Sequence, residues 1–183
     1  MKKIPTIFER DWTGDKSRVV DIPNPAADWV FRGEGKATRK IDGTCCLIRD
    51  GVLFKRRELR GGEAPPDGFE LADQDDETGK SVGWVPVGDG PEDRWHREAF
   101  TDGLDGTYEL VGPKIQGNPE KFEHHYLTPH AGAVVYDDVP RTFDGLRQWL
   151  AGKDIEGIVF HHADGRMAKI KLRDFGLTRA LSS

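Results

Sequence analysis

Ala37-Thr38-Arg39-Lys40-Ile41-Asp42-Gly43-Thr44-Cys45-Cys46-Leu47-Ile48 decides how this chain is read. The stretch is built like a strand and its exit, with Lys-x-Asp-Gly at its centre. Side chains alternate along an extended chain, so Asp42 is expected on the same side as Lys40. Gly43 lets the backbone turn tightly or approach a ligand closely. Free lysine is protonated at neutral pH and cannot attack a phosphate. Burial or neighbouring positive charge can remove that proton. Arg39 and Lys36 stand beside Lys40 in sequence, and two more lysines arrive later. An uncharged Lys40 could take a nucleotide from ATP or GTP as a phosphoramidate, which is covalent catalysis. The four residues alone also read as an ordinary strand end with a surface lysine.

Working outward, Arg49-Asp50-Gly51 is a turn between two apolar runs, so a β-hairpin is expected there. It would return Leu53-Phe54-Lys55-Arg56-Arg57-Glu58 towards the start of the stretch, with Arg56 or Arg57 near Lys40. Further strands follow. Thr107-Tyr108-Glu109-Leu110-Val111-Gly112 holds a carboxylate between apolar residues, and Ala133-Val134-Val135-Tyr136-Asp137 ends in an aromatic. Ile155-Glu156-Gly157-Ile158-Val159-Phe160 starts with another carboxylate. In Ala168-Lys169-Ile170-Lys171-Leu172 the two lysines share one face. A helix is expected from about Thr142 to Ala151. Thr142 caps it, Phe143, Leu146 and Leu150 share a face, and Gly152 ends it. Shorter helical segments are expected over Asp93 to Phe100 and after Arg173, and Pro86 reads as an edge strand or turn.

This order of motifs resembles the covalent nucleotidyltransferases, the polynucleotide ligases and mRNA capping enzymes. Lys40 to Gly43 resembles motif I, Phe54 to Arg57 motif Ia, Glu109 motif III and Tyr136 motif IIIa. Glu156 resembles motif IV, and Lys169 with Lys171 motif V. Within that superfamily several segments are similar to the RNA ligase 1 family, which includes the vertebrate ATP-dependent 5′-to-3′ RNA ligase. They are Ile41 to Cys46, Gly83 to Val87, Glu109 to Gly112 with Gln116 to Pro119, Leu127 to His130, and Ile155 to His161 with Asp164-Gly165. In DNA ligases and capping enzymes an arginine commonly follows Lys-x-Asp-Gly-x. Cys45 stands there instead and cannot make an arginine's polar contact to a nucleotide sugar. The cysteine pair is shared with the RNA ligase 1 family. On packing grounds alone, alternation places one of Cys45 and Cys46 in the core.

The resemblance implies an α+β nucleotidyltransferase domain (ATP-grasp-like), two antiparallel sheets around a nucleotide pocket. It spans residues 1–183 as one domain in a compact form, with no C-terminal OB or helical domain after motif V. It implies an ATP-dependent RNA ligase that joins 5′-phosphate and 3′-hydroxyl RNA ends through a lysyl-AMP intermediate, in RNA repair. Lys40 is the nucleophile, and Lys169 and Lys171 stabilise phosphate charge. Mg²⁺ or Mn²⁺ is held by Glu156, with Glu109 as a second carboxylate. Glu109 and Arg56 hold the ribose or orient the incoming end, Tyr136 stacks on adenine, and Asp42 and Gly43 contribute at motif I. The alternatives are a GTP-using capping guanylyltransferase, a DNA ligase and a non-catalytic RNA-binding module. For Tyr136 a core aromatic, and for Glu109 and Glu156 a solvent-facing strand residue, are the plainer readings.

Composition fits an intracellular enzyme acting as a monomer in the cytoplasm. A chain of 183 residues, 36% hydrophobic and 32% charged, can bury a sizeable core. No apolar run approaches membrane-spanning length, and Met1-Lys2-Lys3 leads into no signal-peptide core. The two cysteines are adjacent, which disfavours a disulfide. Net charge is −5, yet acid concentrates in Glu63 to Glu77 and Asp89 to Asp105. Base concentrates from Lys36 to Arg60 and from Arg166 to Arg173, so a local positive groove could still bind RNA. Histidines 124, 125, 130, 161 and 162 fit no standard zinc spacing. Lys114 and Asn118 sit in a loop where they could touch RNA, although a surface lysine is the plainer reading.

Overall fold

The computed structural model describes residues 3–75 and 79–180, so the last part of the acidic run from Glu63 to Glu77 lies outside the described residues. In chain order the elements are β1 (Phe8–Arg10), β2 (Val19–Pro23), α1 (Asp28–Phe31), β3 (Lys36–Lys40), β4 (Thr44–Arg49), β5 (Val52–Leu59), β6 (Glu70–Gln74) and β7 (Ser81–Pro86). There follow α2 (Arg94–Ala99), β8 (Gly106–Val111), β9 (Tyr126–Pro129), β10 (Val135–Tyr136), α3 (Phe143–Leu150), β11 (Gly157–His161) and β12 (Met167–Lys171). The chain is α+β, and its strand ladders are antiparallel. It divides into two compact units, one built on Asp42–Gly132 and the other on Ile4–Ile41 with residues 133–180. The boundary falls inside Lys-x-Asp-Gly, between Ile41 and Asp42.

The unit holding Lys40 is built on a four-stranded sheet in the order β10-β3-β11-β12, with β1 and β2 as a separate pair. Ala37, Ile158, Phe160, Ala168 and Ile170 turn one face of that sheet into the core. Phe8 stands in an aromatic cluster, its ring centroid 5.2 Å from Phe31 and 5.1 Å from Phe143. α3 closes this core as its sequence dictates. The Thr142 hydroxyl accepts from the Gly145 amide at 3.2 Å, and Leu146 and Leu150, four apart on one face, are fully buried. Each such leucine contributes roughly 1.5–3 kcal/mol through burial.

The second unit is a six-stranded sheet in the order β6-β7-β5-β4-β8-β9. The β4–β5 hairpin forms at the expected place, with Arg49 opposite Val52. Asp50 and Gly51 both take positive φ, 52° and 72°, the turn geometry that matches strand twist. Cys46, Ile48, Leu53 and Leu110 pack with Ala99 of α2 into this unit's core.

Several expectations need correction. The strand of the quoted stretch ends at Lys40, and after its exit β4, of another sheet, begins at Thr44. The alternation that would align Asp42 with Lys40 therefore stops before Asp42. The Ala133–Asp137 segment yields only two strand residues, extended by the Arg39 amide donating to the Val134 carbonyl at 2.8 Å. β7 is an interior strand, and Pro86 is tolerated because it is the last residue, beyond the β6 ladder that ends at Trp84. The last helical turn is a 3₁₀ segment, Leu172–Phe175, which begins before Arg173.

Candidate functional site

In the four-stranded unit, strand register assembles a lysine cluster. Gly157 of β11 pairs with Lys40 of β3 on one side and with Lys171 of β12 on the other. Glu156, just before Gly157, therefore lies between two lysines that are 131 positions apart in the chain. One carboxylate oxygen accepts from Lys40 Nζ at 2.6 Å, and the other accepts from Lys171 Nζ. Gly157 is required by close approach, since a Cβ there would sit 2.2 Å from the Ile170 carbonyl oxygen. Lys169, two residues before Lys171 on the same face, joins the group. The Lys171 amide donates to Asp174 at 2.8 Å, and buried Asp174 also pairs with Arg10 at 2.8 Å, which pins the end of β12.

The electrostatics follow from three ammonium groups around one carboxylate. Burial alone would raise the Glu156 pKa, but Lys40 and Lys171 outweigh it and hold it below the ordinary carboxylate value. Lys169 is pushed down from 10.5 to about 8, first by burial and then by the charges of Lys171 and Lys40. The charges that lower it thus come from the other sheet lysines, against the opposing pull of Glu156 and Asp174. Alternation along β3 turns Arg39 to the opposite face from Lys40, and Lys36 begins the strand on the surface. A site with this excess of positive charge, half-buried, suits a phosphate group.

Tyr136 pairs with Ala37 at the sheet edge and packs edge-on against Trp149, ring centroids 5.1 Å apart. It is only partly buried.

In the six-stranded unit, Gly43 passes so close to β8 that a Cβ would lie 2.2 Å from the Leu110 carbonyl oxygen. Its close approach is therefore to its own sheet. The Asp42 amide donates to Glu120 at 3.0 Å. Cys45 pairs with Glu109 across β4 and β8, and the His130 amide donates to the Thr107 carbonyl at 3.0 Å just past β9. One face of the sheet thereby collects Cys45, Thr107, Glu109 and His130, while Cys46 and Leu110 fill the core on the other. Glu109 is 7% exposed, and its carboxylate lies 2.9 Å from His130 Nε2. Burial, then the Glu109 charge, pushes the Cys45 thiol up to about 11, against the opposing pull of Arg56.

The structure separates the two candidate arginines. Arg56 stands close enough to Cys45 to pull its pKa down, whereas exposed Arg57 pairs with Glu63 at 2.8 Å. Asn118 is committed to its own loop, donating to the Phe122 carbonyl and accepting from the Phe122 amide, both at 3.0 Å. Of the other histidines, His125 stacks on Trp95 and bonds Glu98, His161 meets Thr38, and His162 meets Glu34. The partnership of His130 with Glu109 was missed by sequence reasoning. The segment Leu127 to His130 carried a family likeness but no local signal of what His130 touches. Among the described residues, no helix is long and apolar enough to cross a membrane.

No protein-family model matches the chain. Among curated proteins it is similar to RNA ligase 1 of Rattus norvegicus, 29% identical over 77% of this chain and 67% of that protein. RNA ligase 1 of Pongo abelii is 30% identical over 56% of this chain and 42% of its own length. The Danio rerio protein of the same name is 22% identical over 96% and 81%. The chain is thus distantly similar, over most of its length, to RNA ligase 1 proteins.

Proposed function

We propose that this protein is an ATP-dependent RNA ligase with a nucleotidyltransferase fold, joining 5′-phosphate and 3′-hydroxyl RNA ends. The observation that carries the reading is the lysine cluster, in which Glu156 holds Lys40 and Lys171 while Lys169 stands beside them. Lys40 Nζ, once uncharged, attacks the α-phosphorus of ATP. A P–N bond forms, the bond to the bridging oxygen breaks, and pyrophosphate leaves with the amine proton released. A 5′-phosphate oxygen of RNA then attacks the adenylyl phosphorus and returns the free amine of Lys40. Finally a 3′-hydroxyl attacks the activated 5′-phosphate and AMP departs.

Lys169 and Lys171 stabilise charge on the transferred phosphate. Incoming phosphate also restores the charge of Lys169, whose pKa near 8 leaves it partly neutral in slightly alkaline solution. Glu156 offers hard carboxylate oxygens, the donor type that Mg²⁺ or Mn²⁺ prefers. The cation would neutralise phosphate charge there. Glu109 and Arg56 hold ribose hydroxyls or the incoming end, Asp42 and Gly43 complete motif I, and Tyr136 takes the adenine.

The test is a sealing assay with ATP on RNA carrying a 5′-phosphate and a 3′-hydroxyl. Closure is expected, and a 3′-deoxy acceptor should instead accumulate 5′-adenylylated RNA. Sealing with GTP alone, or only of nicked DNA, would move the assignment to a different nucleotidyltransferase. Folded protein that binds RNA but never forms either product would overturn the enzymatic reading.

A further inference from the structure

We propose that Cys45, Glu109 and His130 form a binding site for a soft divalent cation, Zn²⁺, on one face of the six-stranded sheet. One ligand atom from each side chain lies within 4.8 Å of the other two. In a tetrahedral zinc site with bonds of 2.0–2.3 Å, ligand atoms stand about 3.3–3.8 Å apart, so modest side-chain movement closes the set. The backbone already fixes the arrangement. Cys45 and Glu109 are direct partners across β4 and β8, and β9 delivers His130 beside Thr107, two residues from Glu109 on the same face.

The second sphere is built as a metal-binding histidine needs. Thr107 Oγ1 lies 2.9 Å from His130 Nδ1 and can accept its proton, which leaves Nε2 as the free lone pair. That same Nε2 lies 2.9 Å from a Glu109 oxygen. In that tautomer the Nε2 lone pair and the Glu109 oxygen both face the space a cation would take; in the other, Nε2–H donates to Glu109 and gives up that proton when the cation binds. A thiolate, a carboxylate and a neutral imidazole balance the charge of Zn²⁺ and leave a fourth position open, the pattern of exchangeable rather than purely structural sites. The thiol proton leaves to solvent on binding, and the positive charge of Arg56 nearby favours the thiolate. If Glu109 also serves the ribose, as the proposed function has it, zinc and nucleotide exclude one another at this carboxylate.

Cobalt is the probe, because a thiolate ligand gives Co²⁺ a near-ultraviolet charge-transfer band. Tag-free chain is titrated with Co²⁺ without nucleotide, so the result is independent of ligase activity. One equivalent is expected to bind with that band and to be displaced by Zn²⁺. The band should vanish in Cys45→Ser, and affinity should fall about tenfold or more in His130→Ala. A second readout uses the wild type alone: Zn²⁺ should slow iodoacetamide alkylation of Cys45, measured by peptide mass, while buried Cys46 stays unreactive with or without metal. A wild type without the band, a band that survives Cys45→Ser, or alkylation of Cys45 that zinc leaves unchanged would each overturn the site.

Discussion

The lysine cluster of the four-stranded unit and the Cys45–Glu109–His130 group of the six-stranded unit each centre on one half-buried or buried glutamate. They use it differently. Glu156 is the counter-charge for a crowd of lysines, and its own ionisation is held in place by them. Glu109 faces a neutral thiol on one side and a histidine on the other, with Arg56 one residue away. The first arrangement carries an excess of positive charge, which suits the phosphate of the proposed function. The second gathers three donor atoms of different chemistry, a thiol, a carboxylate and an imidazole, within 4.8 Å of one another. A glutamate in or beside a strand therefore says little by itself; the residues that strand register brings beside it decide its chemistry.

The same substitution at both positions gives the sharpest contrast. Glu156→Gln leaves three lysines without a counter-charge in a site where Lys40 and Lys171 are only 19% and 14% exposed. Breaking such a pair typically costs about 3–5 kcal/mol. Denaturant unfolding at neutral pH should show a loss near the low end of that range. Glu109→Gln can still meet His130 with its amide oxygen or its amide N–H, whichever the tautomer requires, and should cost about 1 kcal/mol. Equal losses at the two positions would break the distinction drawn between them.

Lys169→Met probes the charge excess from the other direction. The folded-state pKa of Lys169, about 8, lies below its ordinary 10.5, so folding disfavours its charged form. Below pH 8 both folded and unfolded chains carry the proton and the full penalty is present. Between pH 8 and 10.5 the unfolded chain holds more protons, so stability rises with pH and the penalty disappears. The fall to about 8 corresponds to roughly 3 kcal/mol. Lys169→Met should accordingly be more stable than wild type at pH 7, by up to that amount, with the gap closing by pH 10.5. A gap that does not depend on pH would show that packing, not charge, sets the difference.

A smaller effect is expected at the neighbouring arginines of β5. Arg57→Ala removes an exposed pair with Glu63 and should change stability by less than about 1 kcal/mol. In contrast, Arg56→Ala should slow sealing, because the proposed function gives Arg56 a ligand contact. Sealing lost in Arg57→Ala and kept in Arg56→Ala would reverse the assignment.

What was legible in the sequence was what short-range chemistry determines. Asp50-Gly51 between apolar runs forced the hairpin, and Thr142, Leu146, Leu150 and Gly152 carried the start, face and end of α3. Motif order brought out Lys40, Glu156, Lys169 and Lys171 together. What remained hidden depends on register between distant strands. Nothing local says that Glu156 would bond two lysines at once, or that His130 would meet Glu109 and approach Cys45. Strand alternation does not reach Asp42, because β3 ends at Lys40. Gly43 was read as allowing a tight turn or a close approach, and the approach seen is to the backbone of β8.

The central claim is that Lys40 is the nucleophile of the lysine cluster, and the most direct measurement is covalent labelling. Wild type and Lys40→Ala are incubated with ATP or GTP labelled on the α-phosphate, with Mg²⁺, and run on a denaturing gel. The account predicts a label from ATP on wild type that is absent from folded Lys40→Ala and is released by added pyrophosphate. A label that persists in Lys40→Ala, or folded wild type that takes no label from either nucleotide, would contradict it.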